Sequence, residues 1–497
     1  MKIKILAIGI MMIITISIFA GVSNGNKVET NDTSGWQPIN ERGFGSKFNR
    51  GPRGTAIFNN TFIIGTANYN DNGTLGFNET WPALEYIQTL KGLKGDYNKD
   101  FSSNGLEIWS YNGTSWKQLV GNNSEAKNSA GFGNKNCYEV GDLIVFKGYL
   151  YAGVRNHHDG SEIWRTSSIN NSWECVFNEG GGNKNNVWCM IFEIFKDQLY
   201  MGTFNMHDGT EIFRTNDGIN WTKVVGNGTK TPAGFGTKAK FYSWSMQSYG
   251  SHIYVGAHGG SKGGHLWRSE NGVDWEPLIA GKNIFEAWRM GADYPEGFGY
   301  LSFGGFRDME VYNDELYICT AGGWHVNIIL SKLGKTVAIN NRWIQKNPFL
   351  FFKSVAAYIW KYNSTKDKWT RIIGGEQNDI SGSGFGDQYN IYFWDMKTDG
   401  ENLYVSTAHQ DPFNAIFTRN GLFNWSIMLE TPTGHGEIWQ FNGENWKNIV
   451  GKGKGLEFDD KYNIGIREMN FYKNSLLIAT MNVKTGCEVW ELDVSQL

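Results

Sequence analysis

Short runs of alternating apolar and polar residues recur along the chain, each bounded by turns rich in Gly and Asn. One copy reads Leu199-Tyr200-Met201-Gly202-Thr203, then Glu211-Ile212-Phe213-Arg214, then Trp221-Thr222-Lys223-Val224. Period-two alternation over four or five residues, enriched in aromatic and β-branched side chains, predicts strands rather than helices. A single copy is too small to bury its own apolar face, so neighbouring copies must stack. Fixed-period repeats of this kind build propellers, solenoids or arrays.

Alignment on an apolar pair in the second strand gives seven copies: Phe62-Ile63, Leu150-Tyr151, Leu199-Tyr200, Ile253-Tyr254, Leu316-Tyr317, Leu403-Tyr404 and Leu476-Leu477, here repeats one to seven. A third strand follows in each, at Trp109, Trp164, Phe213, Trp267, Trp360, Trp439 and Trp490. The outer strand begins at Trp116, Trp173, Trp221, Trp275, Trp369 and Trp446, and the seventh member is missing because the sequence stops at Leu497. Trp36-Gln37-Pro38-Ile39 matches Trp275-Glu276-Pro277-Leu278 and is predicted to supply it. The expected fold is all-β: a seven-bladed β-propeller closed by the N-terminal strand joining the last blade. Without that strand an unpaired edge would be left exposed.

The chain resembles the kelch-type and Asp-box (sialidase-type) β-propellers. Tyr358-Ile359-Trp360-Lys361-Tyr362-Asn363 followed by Trp369 resembles the second half of a kelch repeat, although the double glycine is mostly absent. Thr215 to Trp221 and Ser269 to Trp275 resemble Asp boxes one residue short, the second with Asn271 where the Asp belongs. The resemblance implies that Asp217 is a structural turn former. The acids Glu107, Glu162, Glu211, Glu437 and Glu488, repeated before the third strand, are expected to hydrogen-bond from blade to blade.

Composition adds a compartment. Lys2 and Lys4 precede an apolar run from Ile5 to Phe19 and the small residues Ala20 and Gly21, the pattern of a secretory leader over residues 1–23, with retention as a membrane anchor the alternative. Residues 24–497 then form one propeller, secreted or displayed at the cell surface, with insertions near 69–104, 322–357 and 410–436. Asn-X-Ser/Thr acceptors such as Asn112, Asn170 and Asn220 fit export. The five cysteines have no metal-ligand spacing, and Cys175 and Cys189 are candidates to pair. A net charge of −3 argues against a general nucleic-acid partner. No cofactor motif is evident, and the scattered histidines share no offset that would predict a metal site.

Function in such a ring sits where the innermost strands meet the central channel. Counting back from the apolar pairs places Arg53, Arg307 and Arg467 at equivalent positions, followed by an acidic column of Asp142, Asp308, Asp395 and Glu468. The long insertions would wall the channel mouth beside them, bringing in aromatic residues such as Trp324, and His409, one of several histidines in short loops, is also available there. Clustered arginines favour carboxylate, sulfate or phosphate groups. The expected function is a binding module for an anionic glycan or an extracellular protein, using Arg53, Arg307, Arg467, Asp308, Asp395, Glu468, Trp324 and His409. The alternative is a sialidase-like hydrolase or a polysaccharide lyase. A third possibility is a structural component of an extracellular coat or adhesin. For the arginines themselves, the structural alternative is that Arg307-Asp308 and Arg467-Glu468 form a salt-bridged ring lining the channel.

Overall fold

The computed structural model describes residues 35–68, 103–258, 263–299, 305–322, 356–374, 382–387, 389–409, 436–451, 462–482 and 484–496. The predicted leader at 1–23, and all but the margins of the three predicted insertions, lie outside these residues.

Each repeat folds as an antiparallel meander. In repeat three, Trp188–Phe195, Gln198–Phe204, Ile212–Thr215 and Thr222–Val225 pair in that order. Repeats one, two, four, five and six follow the same plan. Repeat seven contributes Asn463–Tyr472, Ser475–Asn482 and Val489–Asp493. Its fourth strand comes from the other end of the chain: Gln37 lies opposite Glu491 and Pro38 opposite Trp490, and the Ile39 N–H donates to the Val489 carbonyl at 2.9 Å. Trp36 is buried with Ile466, Ile478 and Trp490. Pro38 has no N–H to offer, and an outermost strand is where a sheet tolerates that. The first strands of successive repeats lie side by side, and that of repeat one also borders that of repeat seven. Four-stranded units sharing a set of adjacent inner strands make a β-propeller.

The core lies between neighbouring units. One cluster joins Phe146 and Tyr151 of repeat two to Phe192, Leu199 and Met201 of repeat three. A Gly-Phe-Gly turn wedges most repeats. Phe44, Phe132, Phe235, Phe298 and Phe385 all sit at φ between 53° and 57°. Each stacks on the third-strand tryptophan of the following meander, at centroid distances of 4.8, 4.4, 4.7, 4.0 and 4.4 Å respectively. Each also meets the outer-strand tryptophan edge-on. Left-handed backbone is disfavoured for a side chain with a Cβ, and the aromatic packing offsets that cost. Repeat three has Gly181 instead, and a Cβ there would meet Phe177 and Phe213 rings that already fill the space.

The repeated acids tie strands within a repeat, which corrects the expected blade-to-blade role. Glu107, Glu211, Glu437 and Glu488 each accept from the Asn at or just before the start of their own repeat's first strand, Asn49, Asn186, Asn390 and Asn463, at 2.7–2.9 Å. Asp217 accepts the Ile219 and Asn220 N–H groups at 2.9 and 2.8 Å, and Asn271 accepts those of Val273 and Asp274 in the same way. An Asn can replace the Asp there because the turn needs an acceptor oxygen, not a charge. All five cysteines are free thiols, so Cys175 and Cys189 are not paired.

Candidate functional site

Every first strand carries a register shift at the same place. The breaks fall between Pro52 and Thr55, Val140 and Asp142, Cys189 and Ile191, Ser243 and Ser245, Phe306 and Asp308, Phe393 and Met396, and Ile466 and Glu468. The first residues within the bulges are Arg53, Gly141, Met190, Trp244, Arg307, Trp394 and Arg467, the column counted from the sequence, and in repeats one and six Gly54 and Asp395 lie within the bulge as well. A bulge takes a residue out of the two-faced alternation and re-aims its side chain. The three arginines therefore belong to one level of the inner strands, on repeats one, five and seven.

All three are buried, at 6%, 7% and 7% exposure. Arg53 donates from Nε to the Gly141 carbonyl at 2.8 Å, and its guanidinium lies 4.5 Å from the Trp188 ring centroid. Burial lowers the Arg53 pKa to about 10, helped by the nearby charges of Arg307 and Arg467. The Arg307 guanidinium lies 5.4 Å from the Trp244 ring, and among the described residues it has neither a hydrogen bond nor an ion pair. Arg467 bonds Glu139 at 2.9 Å. The salt-bridged ring of sequence neighbours does not form among the described residues, since Arg467 pairs with Glu139 and not with Glu468.

Two further charged residues belong here that the sequence reading missed. Arg155, 1% exposed, pairs with Glu139 at 3.0 Å and lies 4.1 Å from the Trp188 ring. Glu139 and Arg155 face each other directly across the first and second strands of repeat two. Their signal was a pair of opposite charges in columns that, His258 apart, are otherwise aromatic, apolar or small. Glu139 thus serves two arginines, and Trp188 is flanked by two.

The acidic column lies one residue further along the strands. Asp142 accepts the Phe192 N–H at 2.8 Å, Asp308 that of Met396 at 2.7 Å and Asp395 that of Met469 at 2.6 Å. Each of these bonds joins one repeat to the next. Asp395 also pairs with Lys397 at 3.2 Å. Glu468 has no hydrogen-bond partner among the described residues, and burial pushes its carboxyl up to about 7. Asp308 and Asp395 are thus committed to holding repeats together, whereas Arg53, Arg307 and Glu468 keep capacity to spare. His409 is buried with Nε2 3.3 Å from Asp387, at the top of repeat six rather than in the bulge level. Trp324 lies outside the described residues.

No protein-family profile and no curated protein matches the chain. Solved structures similar in shape include YCF48 from Cyanidioschyzon merolae (8% identity, 93% of this chain and all of that one, TM-score 0.47). The WD40 β-propeller domain of Doa1 is similar at 7% identity over 92% and 97% of the two chains, with TM-score 0.44. The β-propeller domain of the Trilobed protease from Pyrococcus furiosus is similar at 10% identity over 89% and 95%, with TM-score 0.41. All three scores are below 0.5, so the architecture rests on the strand pairing of the chain itself.

Proposed function

We propose that the chain is a seven-bladed propeller, locked by its N-terminal strand, that acts outside the cell as a binding module for an anionic glycan or for an acidic surface of another protein. The observation that carries this reading is Arg307: a buried guanidinium with no ion pair or hydrogen bond among the described residues, at the same bulge level as Arg53 and Arg467. An unpaired buried charge costs several kcal/mol in general, which favours a ligand that brings the missing anion. Trp244 and Trp188 lie close to the guanidinium groups, so less side-chain entropy is lost on binding. Kelch-type or Asp-box ancestry, suggested by the Trp360 and Asp217 segments, would fit such a platform. The test is binding of the mature protein to an array of acidic glycans. Arg307→Ala and Arg53→Ala are expected to lower affinity at least tenfold while the circular dichroism spectrum is unchanged. Loss of folding in both would mean that the arginines are structural.

A hydrolase is the second reading, and Glu468 favours it. A carboxyl held near neutrality beside arginines is suited to general acid catalysis. Release of product from acidic oligosaccharides, abolished in Glu468→Gln, would separate enzyme from lectin.

A further inference from the structure

The inner strands carry two charged levels, one residue apart. The upper level holds Arg53, Arg307 and Arg467. The lower one holds Asp142, Asp308, Asp395 and Glu468, and two residues further along three of the strands come Glu310, Lys397 and Asn470. Glu193 of repeat three joins this group, accepting the Ser248 N–H of repeat four at 3.0 Å. We propose that the acidic level regulates the anion site through its charge. Protonated, it leaves the arginines available to an anion; ionised, it supplies their counter-charge itself and weakens binding. This proposal rests on the anion-binding reading above.

The geometry supports such a gate. Five of these buried or half-buried carboxyl groups, Asp142, Asp308, Glu310, Asp395 and Glu468, feel the charge of Lys397, which is bonded to only one of them. Glu468 links the levels, beside Glu139, whose charge also acts on Arg53 and which pairs with Arg467. Glu468 follows Arg467 in sequence, and the charges acting on it come from Asp395 and Lys397 of repeat six, Arg53 of repeat one and its own neighbour Arg467. The charges around Asp308 are Lys397, Asp395 and Arg307. Around Glu310 they are Lys397 and Asp395, and around Glu193 they are Asp142 and Glu310. Like charges and burial both oppose ionisation. Glu193, Glu310 and Glu468 are each pushed up to about 7, Asp142 to about 6, and burial raises Asp308 as well. The acidic level therefore gains negative charge across the neutral range, where the arginines stay positive. By linkage, an anion that prefers the protonated level must take up protons as it binds.

Inorganic sulfate is a suitable probe because its charge does not change across this range. Calorimetric titration of the wild-type protein at pH 5.5 and 8.0, in two buffers of different ionisation heat, is expected to show at least tenfold tighter binding at the lower pH with net proton uptake. Glu468→Gln removes the carboxylate of the acidic level that acts on both Arg53 and Arg467, and is expected to raise affinity at pH 8.0 and flatten the profile. Glu310→Gln, farther from the arginines, should do the same more weakly, and it remains informative if the Glu468 variant fails to fold. Equal sulfate affinity at both pH values, or unaltered profiles in both variants, would overturn the regulation while leaving the anion site standing. Absence of sulfate binding at every pH would overturn both.

Discussion

The Gly-Phe-Gly turns show most plainly how one side chain can justify an unfavourable backbone. Phe298 has φ near 55°, and its ring stacks 4.0 Å from Trp360 and meets Trp369 edge-on. Removing the ring should cost about 2–4 kcal/mol, somewhat under the usual figure for a phenylalanine deleted from a core because this one is only half buried. Alanine would keep the left-handed backbone penalty with nothing to offset it, whereas glycine escapes it. Phe298→Gly is therefore expected to be more stable than Phe298→Ala by about 1 kcal/mol. Urea unfolding of the two variants checks the order, and the opposite ranking would mean that the turn relaxes out of the left-handed region. This motif stood in the sequence as a recurring triplet but was not read as structural, because neither its φ nor its tryptophan partners follow from spacing alone. The arginine column was legible because counting back from a strong apolar pair tolerates the bulge as long as every repeat has one.

At the level of strands, period-two alternation located the meanders, and the aligned tryptophans located the outer strands. The bulges were not legible, since a bulge is defined by the partner strand and its register rather than by the strand that carries it. Repeat two makes the constraint visible. A Cβ at Gly141 would fall 1.8 Å from the Cys189 carbonyl oxygen of the neighbouring repeat, which is backbone and cannot swing aside. Gly141→Ala should therefore push two inner strands apart, with a loss of about 3 kcal/mol or more, at the upper end for overpacking. A lowered unfolding midpoint checks this, and a variant as stable as wild type would mean that the inner strands are less tightly apposed than described. The repeated Glu-Asn bonds carry a related lesson. Their periodicity was evident, but whether they join strands within a unit or between units depended on which asparagine came near.

For the whole molecule, the buried acids of the inner strands set a pH dependence of stability. Asp142, Glu193, Glu310 and Glu468 bind protons more tightly folded than unfolded. Their stabilising contribution is complete below the unfolded carboxyl range, near pH 4, and is lost as pH rises through about 6 to 7. Asp208, Glu296 and Asp399 are shifted the other way by hydrogen bonds and, for Glu296, by Lys240 and His265. Their contribution is present above about pH 4 and lost as pH falls below it. The melting temperature should therefore peak near pH 5 and decline toward pH 8, and a maximum at pH 8 or above would contradict the burial of the inner-strand acids.

The primary structure alone determined that this is an all-β chain of stacked four-stranded units, that a segment near Trp36 completes the last of them, and that three arginines share one position. Those properties follow from local periodicity, which a short strand cannot hide. Only the tertiary structure decided that Arg467 pairs with Glu139 of another repeat, that Asp308 and Asp395 are spent on neighbouring backbone, and that Arg307 is buried with no ion pair among the described residues. The physical reason is that hydrogen-bond and charge partners are chosen by proximity in space, and around a ring the nearest residue is often hundreds of positions away in the chain.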